Sequence, residues 1–333
     1  MKVINPKTIV ISRTDSIGDV VLTLPLAGIL KQKFPSAKII FLGNTYTKPI
    51  IKCSAHVDEI YEWSKIKELD FKEQVNWLKT LNADVFIHVF PRKELAKLAK
   101  AAKVPFRIGT SHRLYHWWTC NKKVDFTRKN SDLHEAQLNT KLLFPLAINN
   151  NYSLKELTDF TGFNKIPTLK EPFKAQLNTK KKNLIFHCKS QGSALEWGVT
   201  NFISLAKKLD QNKFNIFFTG TEGESKFFRH LLPKQENIID LSGKMTLDEL
   251  VSFISKSDLL LAASTGPLHI AGLCNIQTIG LFLEKRPIHP GRWQPLGENV
   301  SILKDDNNPE TKKILNISGE SVLETIQSIT SKH

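Results

Sequence analysis

Cysteine is scarce and dispersed. The four in this 333-residue chain, Cys53, Cys120, Cys188 and Cys274, include no pair at CxxC spacing. That argues against a zinc site and a disulfide framework, and fits a reducing compartment. No apolar run approaches the roughly 18 to 20 residues that a membrane span needs. Met1 to Thr8 is polar and Ile9–Ser12 is only strand-length, so no secretory leader is expected and the cytoplasm is the expected location. The chain has no low-complexity tract and no short internal repeat. No helix-turn-helix, zinc or RNA-binding motif is visible, so a nucleic-acid partner is not expected.

What is present fits two globular domains. Hydrophobic residues make up 41% and charged residues 24%, near globular averages, which excludes disorder. A length of 333 residues suits two domains of about 150 each. The net charge of +15 is uneven. Residues 1–170 hold 27 Lys and Arg against 15 Asp and Glu, whereas 171–333 hold 20 against 17. A basic first half attracts anionic partners, or is simply a soluble lysine-rich surface.

Short apolar runs alternate with amphipathic stretches, the pattern of α/β layering with parallel strands. Strands are expected at Thr8–Ser12, Lys38–Leu42 and Asp84–Val89, and a helix at Asp19–Phe34 stopped by Pro35. The rhythm restarts with strands at Asn183–His187, Asn215–Thr219, Asp258–Ala262 and Thr278–Phe282. Helices are expected at Thr200–Leu209 and Pro267–Cys274, with a capping box at Thr246–Glu249 opening another. The Asn149–Lys182 stretch holds the linker, near Ile166–Thr179. Two tandem α/β domains leave a cleft, and ligands bind beyond the carboxyl ends of the strands.

Two loops carry the clearest chemistry. The first reads Ser12-Arg-Thr-Asp-Ser-Ile-Gly-Asp19. Gly18 permits a tight turn, and Asp19 sits at a helix start, where the dipole favours a carboxylate. Such a carboxylate can take a proton from an attacking hydroxyl, or simply cap its helix. Arg13 can meet a phosphate with its fork, or remain a solvated loop charge. The second loop, Ala263-Ser-Thr-Gly-Pro-Leu-His-Ile-Ala271, follows a strand and opens a helix. Amides at a helix N-terminus, with a glycine for close approach, can cradle a diphosphate. His269, one turn into the helix, is equally readable as a packed core residue.

These segments, in this order, resemble glycosyltransferase family 9, the heptosyltransferase family. Ser16-Ile-Gly-Asp-Val-Val-Leu-Thr-Leu-Pro25 matches its S-x-G-D-hydrophobic-x-x-T-x-P signature. The resemblance makes Asp19 the general base; nearby Asp15 does not match the signature aspartate. Residues 263–271 resemble the D-T-G-P-x-H-x-A donor motif, with Ser264 in place of the aspartate that contacts the donor sugar. It implies that Thr265, Gly266 and Pro267 present amides to the donor phosphates, with His269 near them or the sugar. His187–Trp197 resembles G-S-x-x-K-x-W through Gly192, Ser193 and Trp197, the last read as packing. The phosphate-binding lysine falls on Leu195; Lys189 could substitute from across the loop, and Ser190 aligns with a phosphate-contacting hydroxyl. Glu224 matches a ribose or sugar contact, or supplies helix N-terminal charge. Met245 matches the base pocket, or is core filler. Pro287–Pro295 stands where the family has G-P-T-D-P-x-R, with His289 and Arg292 as loose candidates, or is a proline-stiffened loop. The acceptor side falls in residues 90–165, with basic Arg92, Lys93, Arg107, His112 and Arg113 followed by Tyr115, Trp117 and Trp118. Arg13, Gly18, Arg107 and Arg113 are taken as acceptor-binding.

The resemblance implies a GT-B fold: two facing Rossmann-like doubly wound α/β domains with an interdomain cleft. Residues 1–170 would bind the acceptor and 171–333 the nucleotide-sugar donor, with a last helix, Ser318–Ser331, packing back on the first domain. The implied activity is inverting and metal-independent, with no cofactor, and no DxD metal motif occurs. It would move heptose from ADP-heptose to an anionic lipopolysaccharide-core or related glycan, with peripheral contact at the cytoplasmic face of the inner membrane. Ser264 and Leu195 leave two alternatives: a member using another nucleotide sugar, or a non-catalytic binding protein with a decayed donor site.

Overall fold

The computed structural model of the chain describes residues 5–129, 131–148, 151–306 and 314–331. The chain divides into two units, Met1–Lys165 and Ile166–His333, parted at the start of the stretch expected to be the linker. In the first unit, six strands form one sheet: β1 (Thr8–Ser12), β2 (Lys38–Gly43), β3 (Glu59–Glu62), β4 (Val85–His88), β5 (Phe106–Thr110) and β6 (Lys122–Val124). All pairings are parallel, in the order β3-β2-β1-β4-β5-β6. The second unit repeats the plan with β7 (Lys182–His187), β8 (Phe214–Thr219), β9 (Ile238–Asp240), β10 (Leu259–Ala263), β11 (Gln277–Leu283) and β12 (Val300–Asp305). Its order is β12-β11-β10-β7-β8-β9, again all parallel. Counted from its own first strand, each sheet is a doubly wound dinucleotide-type sheet. The order reverses between β1 and β4 in one unit and between β7 and β10 in the other.

Parallel strands covered by helices on both faces read as continuous apolar runs. Ile9, Val10 and Ile11 of β1 are all buried, as are Leu184, Ile185 and Phe186 of β7. In the second unit Trp197 is fully enclosed, edge-on to Phe202, and its indole N–H donates to the Ile317 carbonyl at 2.8 Å. It is a packing residue, as read from the sequence.

The expected helix at Asp19–Phe34 is two helices. Ile17–Val21 ends in a turn, and Pro25–Lys33 starts afresh with Pro25 in its first turn. Proline has no N–H to continue the first helix, and the first turn is where it is tolerated. Thr23 Oγ1 donates to the Asp19 carbonyl at 2.8 Å and closes the break. Within the second helix Gly28 is required by close approach: a Cβ there would lie 2.1 Å from the Phe160 carbonyl oxygen. Gly18 is helical, without the left-handed backbone expected of a turn glycine. The last helix, Gly319–Thr330, packs into the second unit's own core, where Val322 and Ile326 are buried beside the helix Val199–Lys208.

Candidate active site

In open α/β sheets, ligands sit beyond the carboxyl ends of the strands where the order reverses. In the first unit these are the loops after β1 and β4. They meet there. Arg92, just after β4, donates Nη2 to the Thr14 carbonyl at 2.9 Å, and its guanidinium lies 5.0 Å from the Phe90 ring centroid. Asn44 Nδ2 holds the same carbonyl from the other side at 2.9 Å.

Arg13 is buried at the centre of this loop and faces three carboxylates. Its Nε donates to Asp15 Oδ1 at 2.7 Å, Nη2 donates to Asp19 Oδ1, and Nη1 lies 3.4 Å from Glu135 Oε1. The second oxygen of Asp19 accepts from the Ser16 hydroxyl. Asp19 therefore spends both oxygens on side chains, and no backbone cap at its carboxylate is seen among the described residues. Glu135 is buried and also takes Arg128 Nε at 2.9 Å. Arg128 Nη2 reaches Asn139 Oδ1 at 2.9 Å, and Asn139 returns a bond to the Leu22 carbonyl at 3.0 Å. A buried ion set of this kind holds only when each charge is paired and hydrogen-bonded.

The electrostatics follow from that crowding. Burial pulls the Arg13 pKa down, but Asp15, Asp19 and Glu135 outweigh it, so Arg13 is held more firmly protonated than an ordinary arginine. Burial pushes Asp15 up to about 6, opposed by Arg13 and reinforced by the negative charge of Asp19. Asp15 is thus a second, environment-tuned carboxylate beside the signature aspartate.

Of the other residues assigned to acceptor binding, Arg107 and Arg113 lie on the β5–β6 side. Arg107 Nε donates to the Thr119 carbonyl at 2.7 Å, and its Nη1 bonds the Val104 carbonyl. It braces its own loop. Arg113 is exposed and has no ion pair among the described residues.

In the second unit the reversal lies between β7 and β10, so its loops are 188–197 and 264–265. Ser264 and Thr265 lead into the helix Gly266–Leu273. The amides expected from Thr265, Gly266 and Pro267 need a correction. Pro267 lies in the first turn and has no N–H, so of the three only the Thr265 and Gly266 amides exist, and Leu268 supplies the next donor of the turn. Thr265 Oγ1 is buried without a hydrogen-bond partner among the described residues, an orphan of the kind a ligand or water satisfies. His269 is buried one turn inside the helix.

The loop after β7 is closed around Glu196, which the sequence reading missed. Its Oε1 accepts the Ser190 amide at 2.9 Å and the Ser190 hydroxyl at 3.0 Å, while Oε2 pairs with Lys189. Ser193 Oγ donates to the Ser190 carbonyl at 2.8 Å. The chain doubles back through Gln191 and Gly192, at φ of 50° and 80°. Lys189, assigned to the phosphates, is spent on Glu196 and on the exposed Phe227 ring, 5.1 Å away. Leu195 is half-buried against the core.

Glu224 is buried and caps its own helix: Oε2 accepts the Thr221 amide at 2.7 Å and its hydroxyl at 2.9 Å. Burial lowers the His187 pKa, with Glu224 and Glu196 opposing it. Met245 is half-buried on the loop after β9. That loop is held by Arg229, which pairs with Glu222 at 2.9 Å and Asp240 at 2.6 Å. His289 is buried and Arg292 lies 4.9 Å from the Trp293 ring centroid. Among the described residues, no group of three or more His, Cys, Asp or Glu side chains is placed to hold a metal ion.

The family profile described as glycosyltransferase family 9 (heptosyltransferase) matches residues 76–319. The chain belongs to glycosyltransferase family 9. The lipooligosaccharide heptosyltransferase 2 of Campylobacter jejuni is 24% identical over 301 residues, covering 87% of this chain and 85% of that one. Among solved structures, a family 9 glycosyltransferase of Veillonella parvula superposes with a TM-score of 0.80 at 18% identity, covering 100% of this chain and 99% of its own. The ADP-heptose lipopolysaccharide heptosyltransferase II of Escherichia coli superposes with a TM-score of 0.74 at 16% identity, covering 98% and 99%. The fold is GT-B, and the chain is a glycosyltransferase of the heptosyltransferase family, whose relatives are named for lipopolysaccharide and lipooligosaccharide. The profile match begins after the first-strand loop, so the role of Asp19 rests on that loop's own residues and geometry.

Proposed function

We propose that this family 9 enzyme moves heptose from ADP-heptose to a hydroxyl of an anionic lipopolysaccharide-core glycan, with inversion and without a metal ion. Asp19 carries the reading. As the acceptor oxygen attacks the anomeric carbon, Asp19 takes its proton. The bond from that carbon to the diphosphate oxygen breaks, and ADP leaves. Arg13 makes the proton transfer tolerable inside a buried cluster. Once Asp19 is neutral, Arg13 still pairs with Asp15 and Glu135, so no buried cation is stranded.

In the second unit, the amides of Gly266 and Leu268 and the Thr265 hydroxyl would receive the diphosphate. Their positive helix end stabilises the charge that develops on the leaving group. Ser190, Gly192 and Ser193 would line the loop opposite. Lys189 contributes less than its sequence position implies, because Glu196 holds it.

A second reading keeps the chemistry and changes the sugar. Ser264 replaces a charged carboxylate by a hydroxyl, and Leu195 replaces a phosphate-binding lysine, so the donor pocket is less charged than the family pattern. Thermal unfolding with ADP, UDP, GDP and CMP, with EDTA and then with magnesium, separates the readings. A ligand at about 100 times its dissociation constant adds roughly 2.7 kcal/mol. Stabilisation by ADP alone, undiminished by EDTA, is the expected result. Stabilisation by UDP or GDP instead replaces the donor, and no response to any nucleotide removes the catalytic reading.

A further inference from the structure

The β6 edge of the first sheet carries an outward patch that the catalytic reading does not use. In the turn that follows β5, Leu114 is 73% exposed, Trp117 58% and Trp118 63%. Two tryptophans and a leucine in five residues are a concentrated exposed apolar group. Such groups mark contact surfaces. The turn is firmly built from within. His116 is buried, with Nδ1 2.8 Å from the Thr110 carbonyl, and Arg107 clamps the Thr119 carbonyl at 2.7 Å. Trp117 donates its indole N–H to the Ser111 carbonyl at 3.0 Å. Ordered backbone therefore presents these rings to solvent.

The segment that holds the patch is strongly basic. Residues 91–129 hold 11 Lys and Arg against two Asp and Glu, Glu94 and Asp125. This segment alone supplies +9 of the chain's net +15. Lys123 Nζ lies 5.2 Å from the Trp117 ring centroid, and Lys122 Nζ lies 5.3 Å from that of Phe106. Arg113 is exposed within the turn itself, and Asp125 is paired with His112 at 2.8 Å.

We infer that Leu114, Trp117 and Trp118, with Arg113 in the same turn and Lys123 over the Trp117 ring, seat the first unit on an anionic lipid bilayer. Indole rings sit at the headgroup level, where one edge is apolar and the other wet. Lysine and arginine beside them are drawn by the negative surface potential of anionic lipid, within a Debye length. An anionic bilayer takes both parts of the patch at once, the indoles at its headgroup level and the basic side chains at its charged surface. No helix among the described residues is long and apolar enough to cross a membrane, so this contact lies on the surface.

The placement gives the contact a purpose. The Ser111 amide donates to the Val124 carbonyl at 2.9 Å, so the connection leaves β5 at the carboxyl end of the sheet before running back to the amino end of β6, and the Trp117 indole is tied to Ser111 at that carboxyl end. The Asp19 loop leaves the same end of the same parallel sheet. A bilayer held there brings a lipid-anchored sugar toward the end of the sheet that carries the base. In this sense the inference deepens the glycolipid-acceptor reading and rests on it, but its test needs neither donor nor acceptor.

The test is sedimentation of the full chain with vesicles of phosphatidylcholine, alone and mixed with phosphatidylglycerol. Retention on the mixed vesicles is expected, weakening with salt, with little on phosphatidylcholine alone. The double variant Trp117→Ser/Trp118→Ser should lose about tenfold in retention. Arg113→Gln/Lys123→Gln should lose retention and most of the salt dependence. Unchanged thermal unfolding shows that each variant folds, and turnover of Trp117→Ser/Trp118→Ser on a lipid-free acceptor should match the parent. Absence of retention on anionic vesicles, or retention untouched by both variants, overturns the inference. So does a dimer in sedimentation velocity that the tryptophan variant abolishes, which would make the patch an interface between copies. Loss of turnover on every acceptor, with retention intact, strikes the catalytic reading and leaves this one standing.

Discussion

Replacing Asp15 by asparagine should reverse part of the pH dependence of stability. The Asp15 carboxyl is raised from 3.8 to about 6, chiefly by burial. Between those values the folded state binds a proton that the unfolded state does not, so stability falls as pH rises through the window. A shift of about two units corresponds to about 3 kcal/mol at 1.36 kcal/mol per unit. Asparagine keeps the shape and removes the ionisation. The variant loses one charge-assisted bond from Arg13, but that deficit stays nearly constant above pH 6. The informative quantity is therefore the stability difference between variant and parent, followed by chemical denaturation from pH 4 to pH 8. It should move in the variant's favour by about 2 to 3 kcal/mol across the range, most of it between pH 4 and pH 6. A difference that stays flat with pH would refute the reasoning and show that Asp15 ionises as an ordinary surface aspartate.

Three further outcomes follow from the second unit. Trp197→Ala should cost about 3 to 5 kcal/mol in urea unfolding, because a fully buried indole is removed; a loss below about 1 kcal/mol would contradict its place in the core. Thr265→Val should leave the melting temperature unchanged or higher, since it removes a buried hydroxyl that lacks a partner among the described residues, while weakening ADP binding by calorimetry. Unchanged ADP affinity in that variant would take the hydroxyl out of the phosphate site. Glu196→Gln should weaken ADP about tenfold by loosening the loop that Ser190 and Lys189 close, a change of about 1.4 kcal/mol. Equal affinity would show that residues 190–196 do not touch the nucleotide.

The parts of the fold that were legible are those where one physical cause dominates. β1, β4, β7, β8, β10 and β11 are apolar on both faces, because helices cover both sides, and they stand out as short unbroken runs. The outer strands β3, β6, β9 and β12 are only part-buried, their residues mixed, and nothing in a short window separates them from loop. β5 was missed as well; its Phe106-Arg-Ile-Gly-Thr110 sequence breaks the apolar run. The Thr246–Glu249 capping box was legible because its partners are three residues apart. The Asp19–Phe34 helix was overextended because its apolar residues run through Thr23 and Leu24 although Pro25 restarts the chain.

The candidate site divides the same way. Asp19, Ser264, Thr265 and Gly266 lie in contiguous segments, so a motif finds them. Glu135 lies 122 residues from Arg13, and Arg92 lies 78 from Thr14. Only the order of the strands brings them together. Glu135 had one usable signal: an acid at the start of a helix just after a strongly basic stretch. Glu196 belongs to no motif, and only the folded loop brings it onto Ser190 and Lys189. Glu224 and Lys189 were assigned by position, but the structure shows how each is already engaged, by a capping box and by Glu196. No motif carries that information.

The central claim is that Asp19 is the base, and Asp19→Asn tests it most directly. ADP release from ADP-heptose with a core-glycan acceptor would be measured beside ADP affinity on the same preparation. Turnover should fall by about 100- to 10,000-fold, with affinity within a few-fold of the parent. Turnover within a few-fold of the parent, at equal affinity, would contradict it and remove Asp19 from the reaction.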